Sequence, residues 1–141
     1  MKINNKGFTM VEILAAVSIL AILSGVAVSA VTKYQEKARQ KAYQSMEQSA
    51  YSAAHNYILD KSEIIPPAGK TYNVIDLVDK GYLQRLEDPR AKGSDCHTGS
   101  TVSVKKIPKT STTMLEQYEF TVIIKCKKYT SGNGSGVIFK S

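Results

Sequence analysis

The longest apolar stretch of the chain lies near its N-terminus and carries no charged residue. It covers residues 13–32, between Glu12 and Lys33. An α-helix rises about 1.5 Å per residue, so a helix over this stretch would measure roughly 30 Å, the thickness of a bilayer's hydrocarbon core. No polar stripe runs along it, unlike a helix that packs against a soluble domain. The pattern therefore predicts a helix that can span a membrane.

The same helix is predicted to continue through residues 33–62, which contain neither proline nor glycine. In this outer half, small or apolar residues recur three or four positions apart and form one stripe. The other faces are polar and include Glu47. We therefore expect one face to pack on a small domain. A coiled coil is the alternative, which the lack of large residues at sustained heptad positions disfavours. The predicted stripe consists of Tyr34, Ala38, Ala42, Ser45 or Met46, Ser49 or Ala50, Ala53 and Tyr57.

The last third of the chain alternates apolar and polar residues with a period of two, which is typical of strands. Three strands are predicted, at residues 101–106, 118–126 and 136–140. The lengths of the connections between them suit antiparallel neighbours. The pattern predicts an α+β fold, in which a small antiparallel three-stranded sheet packs on the outer half of the long helix.

Between the helix and the sheet lies a connecting region without a repeating pattern. Pro66 and Pro67 are expected to end the long helix, because proline lacks an amide donor and disfavours helix in the preceding residue. Residues 74–80 predict two turns of helix, with Asn73 as N-cap and Gly81 at the C-terminal end.

The start of the apolar stretch carries a specific motif. Residues 7–13, Gly-Phe-Thr-Met-Val-Glu-Ile, follow a short leader that contains Lys2 and Lys6. This arrangement resembles the prepilin signal of type IV pilins and pseudopilins, a family with a long N-terminal helix and a pilin-like fold. Since that signal is cut before the apolar stretch, the helix is expected to be retained, unlike the helix of a secretory signal peptide.

The resemblance implies roles for three residues. A prepilin peptidase would cut between Gly7 and Phe8 and methylate the new amine of Phe8. Glu12 would pair with the N-terminal amine of a neighbouring subunit during filament assembly. A carboxylate inside an apolar helix bundle is tolerable when a buried cation meets it, so this role agrees with the physics. The alternative is that Glu12 only benefits from the helix dipole and reaches the membrane interface.

Two cysteines, Cys96 and Cys126, lie beyond the membrane stretch. If this part of the chain is outside the cytoplasm, as the leader implies, an even cysteine count favours a disulfide. Two buried thiols are the alternative. A metal site is not expected, because the chain has only two histidines and only His97 neighbours a cysteine.

The net charge of +7 is compatible with binding to nucleic acid or an anionic surface. However, the lysines are scattered, and their densest group is Lys125, Lys127 and Lys128. DNA is therefore a weakly supported partner. No nucleophile motif, phosphate loop or metal-ligand spacing is present, so we expect no catalytic residue, no cofactor and no enzyme activity.

Taken with the resemblance, these patterns predict a structural subunit of a type IV pilus-like extracellular filament, stored in the cell membrane with its N-terminus in the cytoplasm. The implied partners are other pilins, the prepilin peptidase, an assembly platform protein, an ATPase and membrane lipid. The alternatives are a pseudopilus subunit for secretion or DNA uptake, and a membrane-anchored binding module that does not polymerise. The expected segments are 1–7 (leader), 8–32 (membrane and assembly half of the helix), 33–62 (amphipathic half), 63–100 (connection) and 101–141 (sheet).

Overall fold

The computed structural model describes residues 8–108 and 116–141. These residues belong to two compact units, one ending at Ala38 and one covering Arg39–Ser141. A single helix, α1 (Met10–Asp60), contributes to both units.

In the first unit, α1 has no buried face. Every described side chain of residues 10–35 is exposed, including the large apolar ones. By length and composition alone, α1 is apolar enough to cross a membrane. Burial of these side chains in lipid or against other helices would be favourable, because apolar surface gains about 25 cal/mol for each Å² removed from water.

The C-terminal end of α1 comes before the two prolines. The helix ends at Asp60, and Ser62 adopts a left-handed conformation with φ of +47°. The amide of Glu63 donates to the carbonyl of Ile58, which satisfies one of the last helix carbonyls. Pro66 and Pro67 therefore lie in the following loop, and the helix is closed by backbone geometry upstream of them.

In the second unit, the main sheet has four antiparallel strands within the described residues, in the order β1-β2-β3-β6. The predicted α+β class, with a long helix packed on an antiparallel sheet, is confirmed. The predicted number of three strands is wrong, because Lys70–Asn73 adds an edge strand beside β2. The strands are β1 (Lys70–Asn73), β2 (Thr101–Ile107), β3 (Gln117–Ile123) and β6 (Val137–Lys140).

The core forms where the sheet meets the outer half of α1. Val102, Val104, Phe120 and Val122 alternate along β2 and β3 and are buried. The ring of Phe120 contacts the edge of Tyr51 on α1 at a centroid distance of 5.0 Å. Small buried residues on the facing side of the helix let the sheet approach closely. They are Ala50, Ala53 and Ala54.

The buried face of α1 differs from the predicted stripe. Ala53 is buried as predicted, and of the two alternative pairs Met46 and Ala50 pack on the core. Tyr34 and Ala38, however, are exposed. Glu47, which the pattern assigned to a polar face, is only 3% exposed. The reason is a tertiary one: a distant tyrosine supplies a hydrogen-bond donor to this carboxylate, as described below.

The second predicted strand, residues 118–126, is divided by a break after Ile123. Residues beyond it form a separate two-stranded ribbon, β4 (Lys125–Cys126) with β5 (Tyr129–Thr130). Ser131 secures the break, because its hydroxyl accepts from the amide of Ile124 at 3.0 Å. The strand predicted to run to residue 126 is therefore shorter than expected. The connection between the ribbon and β6 contains a short 3-10 turn, Ser131–Gly134.

Two further features shape the second unit. The short helix α2 (Val74–Asp79) follows β1 directly and buries Val74 and Leu77. Gly136, at the start of β6, has φ of +80°, and a Cβ atom there would lie 2.9 Å from the carbonyl oxygen of Val122. A side chain at this position would push β6 away from β3.

Candidate assembly site

The first turn of α1 places Thr9 and Glu12 in mutual contact. The Thr9 amide donates to Glu12 Oε2 at 2.9 Å, and the Thr9 hydroxyl donates to the same oxygen at 3.0 Å. The amide of Glu12 donates back to Thr9 Oγ1 at 3.3 Å. This reciprocal pattern is a capping box, in which the residue before the helix and the third helical residue satisfy each other's amides.

The capping box lies at the start of the exposed apolar surface. Phe8 precedes it and is 83% exposed, and the large apolar side chains on the following turns are also exposed. Gly7, the predicted position before the cut, lies outside the described residues. Glu12 is thus a carboxylate at the end of an otherwise uncharged surface that spans residues 13–32.

A second notable group of side chains lies in the second unit, Arg39–Ser141, which we call the head; there Tyr43 contacts Asp88. Both are almost fully buried, and the Tyr43 hydroxyl donates to Asp88 Oδ1 at 2.6 Å. The amide of Arg90 donates to the same oxygen at 2.9 Å. Burial alone would raise the pKa of Asp88, but these hydrogen bonds outweigh it and hold the pKa below its ordinary value.

The other carboxylate oxygen, Asp88 Oδ2, is buried and has no hydrogen bond of ordinary geometry within the part of the chain that the structure describes. The backbone amides of Lys127 and Lys128 nevertheless contribute to lowering the Asp88 pKa. Their dipoles stabilise the charged form without a well-directed bond to that oxygen.

A second pair of a tyrosine and a buried carboxylate connects the two-stranded ribbon to α1. The hydroxyl of Tyr129, in β5, donates to Glu47 Oε1 at 2.7 Å. Its ring stacks on Tyr43 with a centroid distance of 3.8 Å and an interplanar angle of 6°. Burial and the hydrogen bond to Glu47 together raise the pKa of Tyr129 to about 12. The two stacked rings therefore each hold one buried carboxylate of the head.

The predicted pairing of Cys96 with Cys126 is present in the structure as a disulfide. Asp88 is close to it, since its carboxylate and the two sulfurs lie within 4.8 Å of one another. Three such groups have the spacing of a metal site, but sulfurs that are bonded to each other do not act as thiolate ligands.

The arrangement at the start of α1 is matched by a known sequence family. Residues 2–28 match the family described as "Prokaryotic N-terminal methylation motif". The chain carries a prepilin-type N-terminal methylation motif. This match confirms the resemblance of residues 7–13 to a prepilin signal. Gly7, Phe8, Thr9 and Glu12 all lie within the matched residues.

A relative extends the similarity beyond the methylation motif. The chain is 27% identical over 97 residues to a protein of Bacillus licheniformis described as "ComG operon protein 3 homolog". The aligned part is 68% of this chain and 94% of the relative. No solved structure matches the chain. The methylation motif and the relative together support a pilin-like or pseudopilin-like subunit, and the motif with the long apolar helix suggests membrane anchoring.

The structure adds residues to those singled out from the sequence. Thr9 had a local signal, because threonine followed three residues later by glutamate is the capping-box pattern. Asp88, Tyr43 and Tyr129 had none. They meet only through tertiary contacts, for instance across 45 positions between Tyr43 and Asp88.

Proposed function

We propose that this chain is a structural subunit of a type IV pilus-like extracellular filament and has no enzyme activity of its own. A prepilin peptidase would cut between Gly7 and Phe8, and the apolar half of α1 would hold the subunit in the membrane until a platform protein and an ATPase drive its assembly. The observation that carries this proposal is the exposed apolar surface described between residues 13 and 32, which begins directly after Glu12 and overlaps the methylation motif of residues 2–28.

The mechanism is physical. In the membrane, lipid covers the apolar half of α1, and in the filament neighbouring helices would replace lipid. Contacts between different faces of identical subunits repeat without closing and so generate a helical polymer. Glu12 would pair with the Phe8 amine of the next subunit, because an unpaired carboxylate among apolar helices is costly. That pairing would fix the axial register of the polymer.

The central experiment replaces Glu12 with leucine. We expect Glu12→Leu to be inserted and cleaved normally but to enter filaments poorly, because deleting one member of a buried ion pair typically costs about 3–5 kcal/mol. Intact-mass measurement reports cleavage, and immunoblotting of sheared filaments reports assembly. Asp79→Leu is the matched control, since Asp79 is an exposed carboxylate on α2. Wild-type filament yield from Glu12→Leu would contradict the proposed pairing.

Cleavage is tested separately. We expect Gly7→Val to retain the leader, so that the chain keeps the mass of the uncut form and stays out of filaments. If the wild-type protein itself began at Met1 in the membrane, the filament proposal would fail and a membrane-anchored binding module would replace it.

A pseudopilus subunit for secretion or DNA uptake is the second candidate. The methylation motif and the similarity to the Bacillus licheniformis protein support a pseudopilin subunit as well as a pilin subunit. Deletion of the gene, followed by separate assays of DNA uptake, protein secretion and long surface filaments, would distinguish it from a pilus subunit.

A further inference from the structure

We propose that Thr9 is a positioning residue for assembly: it holds one carboxylate oxygen of Glu12 and presents the other to the N-terminal amine of a second copy of this chain. The inference rests on the proposed function, and it assigns to Thr9 a role that the pairing itself does not require. With the predicted cut between Gly7 and Phe8, Thr9 is the second residue of the mature chain, so the contact survives cleavage.

The geometry separates the two oxygens of Glu12. Both donors of Thr9, its amide and its hydroxyl, use Oε2. Among residues 8–108 and 116–141, no hydrogen bond of Glu12 uses Oε1. A carboxylate has room for about four acceptor contacts, so Oε1 can accept from a neighbour's amine while Thr9 remains in place.

If the Glu12 side chain is ordered before assembly, its pairing with the N-terminal amine of a second copy is favoured. A free glutamate has three rotatable bonds, and ordering it at an interface lowers the affinity of the interaction. In the lone subunit, Thr9 has already ordered Glu12. Its two donors also reduce the cost of keeping a carboxylate at the edge of lipid, because a polar group is tolerated there when it is hydrogen-bonded.

The test measures how well a tagged variant enters filaments of the untagged wild-type chain. Thr9→Val keeps the shape of the side chain and the backbone amide but removes the hydroxyl. We expect incorporation to fall about fivefold, the equilibrium counterpart of losing one exposed hydrogen bond to Glu12. Thr9→Ser restores the hydroxyl and should incorporate like the wild type. Ser18→Ala is the matched control, because Ser18 donates its hydroxyl to the carbonyl of Leu14 on the same helix at 2.8 Å. It should also incorporate normally.

A double variant separates positioning from simple helix capping. If Thr9 acts through Glu12, then Thr9→Val combined with Glu12→Leu should incorporate as well as Glu12→Leu alone. A further loss in the double variant would overturn the inference, since Thr9 would then act on the helix start itself.

The remaining outcomes distinguish this inference from the proposed function. Normal incorporation of Thr9→Val beside poor incorporation of Glu12→Leu would overturn the role of Thr9 and leave the pairing intact. Normal incorporation of Glu12→Leu would overturn the pairing and the role of Thr9 together. Intact-mass measurement and membrane fractionation of each variant establish that cleavage and insertion are unchanged before incorporation is compared.

Discussion

Removal of the Tyr43 hydroxyl should destabilise the head in a way that depends on pH. In Tyr43→Phe the ring can still stack on Tyr129, but Asp88 loses the hydrogen bond of 2.6 Å. A hydrogen bond to a charged group contributes about 1.5–3 kcal/mol. A domain of about 100 residues changes its melting temperature by roughly 5 °C per kcal/mol, so a decrease of about 8–15 °C is expected at pH 7.

The sign of the pH dependence follows from the lowered pKa of Asp88. A carboxyl whose pKa is lower in the folded state contributes stability that is complete above its unfolded pKa, which is about 3.9 for aspartate. That contribution is lost as the pH falls through the folded value. The difference between wild type and Tyr43→Phe should therefore be constant from pH 7 to about pH 5. Below pH 4 it should shrink toward the value of a neutral hydrogen bond, about 1 kcal/mol.

The assay is thermal unfolding of the full mature chain in detergent, followed by tyrosine circular dichroism at several pH values. Tyr34→Phe is the control, because Tyr34 is 74% exposed and should leave the melting temperature unchanged. A loss of stability in Tyr43→Phe that is equally large at pH 7 and pH 3 would refute the electrostatic reasoning. It would indicate that the hydroxyl matters for packing and not for the charge of Asp88.

Three further predictions concern the head. Non-reducing mass mapping of the exported chain should find Cys96 joined to Cys126, and full alkylation of both thiols in the native protein would contradict this. The double serine variant should lose about 3–4 kcal/mol of unfolding free energy in urea titrations, as the chain-entropy model gives for a loop of about 30 residues. Gly136→Ala should destabilise the head more than Gly134→Ala. Both glycines have positive φ, but only at Gly136 would the added Cβ atom lie closer than 3.0 Å to neighbouring atoms. Equal melting temperatures of the two variants would show that β6 can shift to make room. Tyr129→Phe should lose less stability at alkaline pH than the wild type. The pKa of Tyr129 is raised to about 12, so its contribution to the free energy of unfolding is complete below about pH 10 and disappears as the pH rises through 12. An alkaline unfolding curve identical to that of the wild type would rule out this contribution.

The parts of the fold that follow a simple period were predictable from the sequence. The uncharged stretch of residues 13–32 defined the first half of α1, and alternation along β2 and β3 identified the buried face of the sheet. The edge strand β1 was not predictable in the same way. It has four residues and buries only Tyr72, so it offers no period to detect.

The buried carboxylates were missed for a different reason. Local sequence assigns glutamate to a solvated face, and the burial of Glu47 depends on Tyr129, which lies 82 positions away. A short-range pattern cannot contain such a partner. At the candidate assembly site, by contrast, the contact between Thr9 and Glu12 is local and was present in the sequence as a capping box.

The two outer strands of the main sheet have a consequence for a protein that is proposed to polymerise. Edge strands carry unpaired backbone groups that can recruit the edge of another molecule and start aggregation. Here both edges, β1 and β6, are only four residues long, and each carries an exposed lysine, Lys70 and Lys140. Short edges with charged side chains are poor templates for pairing with another strand, and at β1 the lysine is also ion-paired with Glu63. If copies of the chain gather in a membrane as proposed, these edges would disfavour sheet-to-sheet association, and the exposed apolar surface of α1 would remain as the contact surface of the proposed polymer.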